Sequence, residues 1–350
     1  MLSALFVCTL KLLALRRPGK AMARSLSEET RVGTDRDRTY VLFSSMTYIK
    51  ARKFQKALRG PLGLGLFVAF FVLSFLALAQ DSTPSAEPST LFARVIKNQE
   101  KSELLLDQYE RVERVEKRRA GGPSDPVDTK FWRIFPTGTG VDKIALSSEG
   151  KPSDSDSYRS DLEKLEKYIA WVVQDGASQK DAYAKAERKR KERFELIEAT
   201  NQAFRFTLEG KEPRGDQTLL RYSMEPNPDY HATSRNTVLF TKVHGIIWVD
   251  EQSFELAKVQ GSVTEDFSVA LFLAKVNKGS QFMQERYEVA PGLWGPTFEQ
   301  YDFDGRKFMV SFSIHERTFY SDYKRVGPPG EAVEVVRTEL NKLQADQPSR

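Results

Sequence analysis

From Phe204 to Arg325 the chain is a succession of short runs in which apolar and polar residues alternate, and this alternation constrains the fold most. A period of two puts successive side chains on opposite faces of an extended backbone, whereas a helix face needs spacings of three and four. Phe204–Gly210 (FRFTLEG) alternates, EPRGD turns the chain, and Thr218–Met224 (TLLRYSM) returns it. Asn227–Arg235 reads as a loop. Thr237–Asp250, Glu255–Val263, Val269–Val276 and Gln281–Val289 follow as strands, and two more flank Asp302-Phe303-Asp304-Gly305. That tetrapeptide begins like a calcium loop, but Arg306, Lys307 and Phe308 stand where further oxygen ligands belong, so it is read as a hairpin turn. Short strands at short spacing describe an antiparallel meander.

Upstream, Leu91, Val95, Leu104 and Leu105 lie at helical spacings within Leu91–Gln108. Tyr109–Lys117, with Tyr109, Val112 and Val115 among charges, fits helix or strand and is read as strand because the turn cluster Gly121–Pro126 follows. Thr129–Phe135 and Val141–Ser147 read as strands about Pro136–Gly140. Residues 153–200 differ: dense in helix formers and broken at Asp175-Gly176, they predict one broken helix or a helical hairpin. Within them Lys185–Arg193 is basic, but Glu187 and Glu192 dilute it. A salt-bridged helix face is the expectation and a phosphate or headgroup patch the alternative. Residues 327–350 read as a loose terminal helix.

The net charge of +5 suggests a polyanion partner until the chain is divided. Residues 1–79 hold 13 Lys+Arg against 4 Asp+Glu, leaving 40 basic and 44 acidic residues in the rest. The basicity belongs to the N-terminus, and a nucleic-acid role loses its support. There, Leu62–Ala79 carries no charge, follows a run containing Lys50, Arg52, Lys53, Lys56 and Arg59, and ends Ala77-Leu78-Ala79. This is the pattern of an export signal cut between Ala79 and Gln80, or of a retained anchor holding the chain to a membrane through residues 62–79. Translation from Met46 gives 46–79 an ordinary signal geometry, which places 1–45 outside the true product or in a disordered extension. The Pro/Ser-rich stretch 80–90 reads as a flexible linker. The one cysteine, Cys8, excludes a disulfide framework and a thiolate metal site.

His231, His244 and His315 are too far apart in sequence for a metal-ligand motif, and neither a nucleophile elbow nor a phosphate loop is present. Catalysis, cofactor and metal find no support. Apolar side chains remain. Val269, Leu271 and Leu273 share one face of a predicted strand, while Ala270, Phe272 and Ala274 share the other. A strand apolar on both faces is covered on both sides. An ordinary sheet core explains it, and so does a ligand cavity whose candidate lining is Trp248, Val269, Leu271, Leu273, Phe282, Trp294 and Phe312.

Several pieces occur in a particular order: Tyr109–Arg114 (YERVER), Gly245–Asp250 (GIIWVD), Leu256–Val259 (LAKV), Val269–Lys275 (VALFLAK), Leu293–Pro296 (LWGP) and Tyr320–Arg325 (YSDYKR). Across roughly residues 90–326 this ordered set resembles bacterial envelope proteins of the outer-membrane lipoprotein-sorting (LolA/LolB-like) superfamily. The resemblance implies an α+β fold, mainly antiparallel β: a curved, half-open barrel sheet covered by helices, with the charged helical insertion at 153–200 as an addition. It also implies a non-enzymatic periplasmic or membrane-anchored protein binding a lipid or lipidated protein in an apolar cavity. A different class, an envelope scaffold without lipid cargo, is the alternative. The domain is expected over 91–326, with oligomeric state open.

Overall fold

A computed structural model of the chain describes residues 88–118, 126–152, 156–234, 237–269, 274–307 and 310–345. The expectations for the start site, the signal or anchor and most of the linker lie outside them. Among the described residues, no helix is long and apolar enough to cross a membrane.

Helix α1 (Pro88–Leu106) leads into strands β1 (Tyr109–Arg118), β2 (Val127–Pro136) and β3 (Val141–Ala145). Helices α2 (Asp156–Val172) and α3 (Ala177–Ala203) come next, parted where Asp175-Gly176 predicts a break. The meander then runs through β4 (Phe204–Arg214), β5 (Gln217–Pro226), β6 (Val243–Asp250), β7 (Leu256–Val263), β8 (Phe267–Val269), β9 (Ala274–Val276), β10 (Gln281–Ala290), β11 (Leu293–Lys307) and β12 (Val310–Arg325). Helix α4 (Pro329–Ala345) ends it. These strands form one open antiparallel sheet in the order β3-β2-β1-β12-β11-β10-β7-β6-β5-β4, with the β8–β9 hairpin added beside β11. The α+β, half-open architecture is as the sequence implied.

The helices lie on both faces. On the inner face, Leu91, Phe92 and Val95 of α1 and Leu196, Ile197 and Ala203 of α3 join a core with Phe204, Met224, Ile247, Val259, Phe282 and Phe303. On the outer face, Tyr158, Leu162, Leu165, Ile169 and Val172 of α2 recur at three and four residues, so one stripe is buried. It packs with Val333, Val336 and Leu340 of α4 against Phe135 and Ile144. The helical insertion is therefore not a hairpin closed on itself. Its first helix belongs to the outer layer, and its second ends in the inner one.

Four expectations are corrected. Val269–Val276 is not one strand: Val269 is registered against Ala274 and Phe267 against Val276, so the chain reverses between them. The two-faced apolar strand therefore dissolves into a hairpin, and residues 270–273 lie outside the described set. Asp302–Gly305 is not a turn but part of β11, registered against His315–Phe312 of β12. Its glycine serves close approach instead, since a Cβ at Gly305 would stand 2.2 Å from the Lys275 carbonyl oxygen on β9. Thr237–Asp250 begins with a 3-10 helix, Val238–Lys242, before β6, which turns Leu239 and Phe240 into the core. Finally, the C-terminal helix is not loose. Ala332, Val333, Val336 and Leu340 are buried, and each large apolar side chain contributes about 1.5–3 kcal/mol.

Candidate functional site

α1 decides what the inner face can hold. Its inward stripe is Leu91, Phe92, Val95, Gln99, Ser102 and Glu103, all buried. The first two turns of that stripe are apolar and the last two polar. The sheet beneath is divided in the same way.

Under the apolar half the Phe92 ring stacks on Phe206, centroids 3.7 Å apart, and meets Tyr222 edge-on at 5.1 Å. The void left between α1, α3 and the sheet, lined by Phe92, Val95, Ile96, Phe206, Ile247 and Leu256 among others, measures about 20 Å³. Ligand pockets run to about 300–1,000 Å³. The trough is filled by the chain's own side chains. Asn98 ties α1 down by donating to the carbonyls of Ser253 (2.9 Å) and Phe254 (3.1 Å), and the Arg94 guanidinium lies 3.6 Å over the Phe254 ring.

Under the polar half lies a buried network. The Glu299 carboxylate accepts from Gln284 Nε2 (2.7 Å), Tyr320 OH (2.8 Å) and Tyr301 OH (3.2 Å). Glu113 takes Lys143 Nζ at 2.6 Å and Arg111 Nη2 at 3.4 Å. Burial opposes the Arg111 charge, but Tyr323, Glu113, Tyr320 and Glu103 outweigh it and hold its pKa above the ordinary value. Burial also raises the Tyr320 and Tyr323 phenols, helped by Glu299 and Glu113. Burial raises Glu255, with Arg286 and Lys101 pulling the other way. Asp322 adopts φ 54, the left-handed region, where the β1–β12 register shifts beside this network.

Arg286 is the least satisfied member. It is 1% exposed, and Nη2 donates to the Trp294 carbonyl at 2.6 Å. Glu103 of α1 stands 3.8 Å from Nη1, an ion-pair distance but too long for a hydrogen bond. Nε and Nη1 therefore have no hydrogen-bond partner, and neither do Arg111 Nε and Ser102 Oγ. A buried donor without a partner costs about 1–3 kcal/mol.

The outer layer treats its buried arginine differently. Arg133 Nε and Nη2 reach Glu110 at 2.7 and 2.6 Å, and Nη1 donates to Glu339 (2.6 Å) and Tyr158 (3.0 Å). Tyr158 in turn donates to Glu339 at 2.7 Å. Beside this knot a groove of about 750 Å³ runs between α4, β1 and the segment after β3, with Val112, Leu146, Pro152, Val335 and Thr338 on its walls.

The predicted cavity residues do not share one place. Phe282 is in the inner core and Phe312 packs partly buried against it. Trp248 and Trp294 belong to a cluster on the opposite face with Leu219 and Ala257, and Trp248 Nε1 donates to Glu212 at 2.8 Å. Val269 ends β8, and Leu271 and Leu273 lie outside the described residues. The basic run on α3 is salt-bridged, as expected: Arg190 pairs with Asp107 and Glu187, and Arg193 with Glu103 at 3.2 Å. His244 meets Ser262 and His315 meets Asp302, far from one another in the sheet. Among the described residues, no group of three or more His, Cys, Asp or Glu is placed to hold a metal. Sequence reading missed the Arg111–Arg286–Glu299 network. The phase of β10 carries its signal: with Phe282 inward, Gln284 and Arg286 must also point in.

No protein-family model and no curated protein matches the chain. Solved structures do. A LolA superfamily protein from Nitrosomonas europaea is 11% identical over 67% of this chain and 92% of its own, with a TM-score of 0.26. A putative outer membrane lipoprotein-sorting protein domain from Vibrio parahaemolyticus is 9% identical over 70% and 99%, at 0.28. A DUF1329 family protein from Desulfovibrio piger is 10% identical over 67% and 92%, at 0.27. Scores of this size do not superpose whole folds.

Proposed function

We propose that the protein is a non-enzymatic, envelope-located binder of an acyl chain, which enters the apolar half of the inner face as α1 lifts away. The observation that carries this is the apolar stripe of α1 filling a trough shaped by the sheet. Leu91, Phe92 and Val95 hold it there with about 1.5–3 kcal/mol each. A chain of about 14 methylenes gains on the order of 11 kcal/mol in the same place before ordering costs, enough to compete with three side chains. The uncharged run Leu62–Ala79 and its basic flank support export or membrane attachment. The test is to recover the full chain natively from the envelope fraction of a Gram-negative host, extract it with solvent and weigh what comes off. Absence of stoichiometric lipid, together with no binding of a fluorescent fatty acid, would sink the reading.

A scaffold role has its own observation, the groove along α4 with Val335 exposed on its wall. Thr338→Trp narrows that groove. If the groove serves a protein partner, this variant loses a pull-down partner and keeps fatty-acid binding.

A further inference from the structure

Two guanidinium groups lie within ion-pair distance of one carboxylate of α1, and a third feels its charge. Glu103 lies 3.2 Å from Arg193 of α3 and 3.8 Å from Arg286 of β10, and it also raises the pKa of Arg111 on β1. Arg286 is almost wholly buried and keeps two nitrogens without a hydrogen-bond partner although Glu103 is near. A buried guanidinium left in this state is a site for something that fits it better. Along the same helix face, Phe92 and Val95 occupy the apolar trough.

Resting on the carrier reading, we infer that the cargo is a long-chain amphiphile with one anionic head group, and that α1 closes the site by imitating it. Leu91, Phe92 and Val95 stand where the tail goes, and Glu103 stands where the head goes. The helix is an imperfect mimic. Its backbone holds the Glu103 carboxylate 3.8 Å from Arg286 Nη1, whereas a free carboxylate or phosphate oxygen closes to about 2.7–2.9 Å. When α1 leaves, Glu103 goes with it, and Arg286 and Arg193 both lose a negative neighbour. Of the other carboxylates, Glu113 is engaged by Lys143 and Arg111 and Glu299 by three neutral donors, while burial favours the neutral form of Glu255 despite Arg286 nearby. The spacing sets a length. Phe92 and Glu103 are eleven residues apart on a helix, about 16 Å, so a head group on a short tail cannot fill both halves.

The experiment titrates the chain, as recovered from the envelope, with radiolabelled palmitic acid, methyl palmitate and butyric acid. Palmitic acid is expected to bind about tenfold or more tightly than its methyl ester, the worth of a hydrogen bond to a charged group, and butyric acid not measurably. In Arg286→Met the ratio of acid to ester should fall to near unity. In Glu103→Gln, which discharges the mimic, palmitic acid should bind severalfold more tightly. Equal binding of acid and ester by the parent chain overturns the head-group inference and leaves the carrier reading standing, while no binding of either overturns the carrier reading itself. An undiminished ratio in Arg286→Met removes Arg286 as the reader of the head. Should that variant not fold, Glu103→Gln decides: unchanged or weaker acid binding overturns the mimicry.

Discussion

Each face of the sheet buries an arginine under a helix, Arg133 outside and Arg286 inside, and these two are treated in opposite ways. Arg133, on the outer face, has Glu110, Glu339 and Tyr158 around it within hydrogen-bond distance. Arg286, on the inner face, has one carbonyl at that distance and a carboxylate held off at 3.8 Å. The helices differ accordingly. α4 is fastened to the sheet by charge and by its apolar stripe together. α1 is held by apolar side chains in its first half and leaves charge unsettled under its second. On the proposed reading, the outer layer is permanent and α1 is displaceable.

The sharpest way to break this contrast is to remove each arginine in turn. Arg133→Met leaves Glu110 and Glu339 facing an apolar side chain, with an expected loss of about 3–5 kcal/mol in urea unfolding. Arg286→Met removes two unpartnered donors together with the bond to the Trp294 carbonyl, while Glu103 keeps Arg193, so the loss should stay below about 2 kcal/mol. Equal losses would erase the distinction.

Amide exchange reads the same contrast without mutation. α1 should open at least about tenfold more readily than α2 or α4, since unpartnered donors lie under its second half while α4 is tied to the sheet through Arg133. Exchange at equal rates would make α1 part of the permanent core.

Titration gives smaller effects. Tyr158 and Tyr320 have pKa values raised chiefly by burial above the ordinary 10. The unfolded phenol therefore loses its proton first. The stability these residues contribute is full below pH 10 and falls as pH rises above it. Tyr320→Phe should make that alkaline decline shallower, as measured by urea midpoints across the range. The smallest effect belongs to Glu255, whose pKa burial raises above 4.5. The folded state holds its proton longer, so stability falls as pH rises through the raised value, and Glu255→Gln should flatten that slope.

How legible this was in the sequence depended on which force set each element. The strands β5, β7 and β10 follow their alternation, and α2 and α3 separate at Asp175-Gly176, because local pattern and local turn chemistry decide them. Strand β1, with Tyr109, Val112 and Val115 three apart, is set by its pairing. The outcome at Val269–Val276 went the other way. An apolar run without polar punctuation looks the same as one strand or as two paired ones. At Asp302–Gly305 turn chemistry was overridden by pairing with His315–Phe312, a contact that no local window contains. The polar half of the inner face was concealed for a related reason. Charged residues at alternate strand positions read as a solvated face, and only the phase set by neighbours such as Phe282 and Tyr301 turns Arg286 and Glu299 inward. Trp248 joins the outer cluster, away from Phe282, by plain alternation, since its neighbour Ile247 pairs with Val259 in the inner core.

The pairing of β1 with β12 has a consequence for timing. Arg118 finds its partner in His315, so the strand completed early in synthesis waits through roughly 200 further residues, some 10–40 s at about 5–20 residues per second. The meander β4–β7 needs no such wait, because each strand pairs with the next. Contacts this distant in sequence also carry a loop-closure cost before they return any stabilisation, which makes them slow to form. Until β12 emerges, β1 lacks one of its two neighbours, and Gln108 has nothing to accept from, since its carbonyl receives the amides of Val326 and Gly327. The outer layer cannot assemble either, as α4 follows β12. The topology itself imposes that interval: among the described strands, the first to leave the ribosome is among the last to find its place.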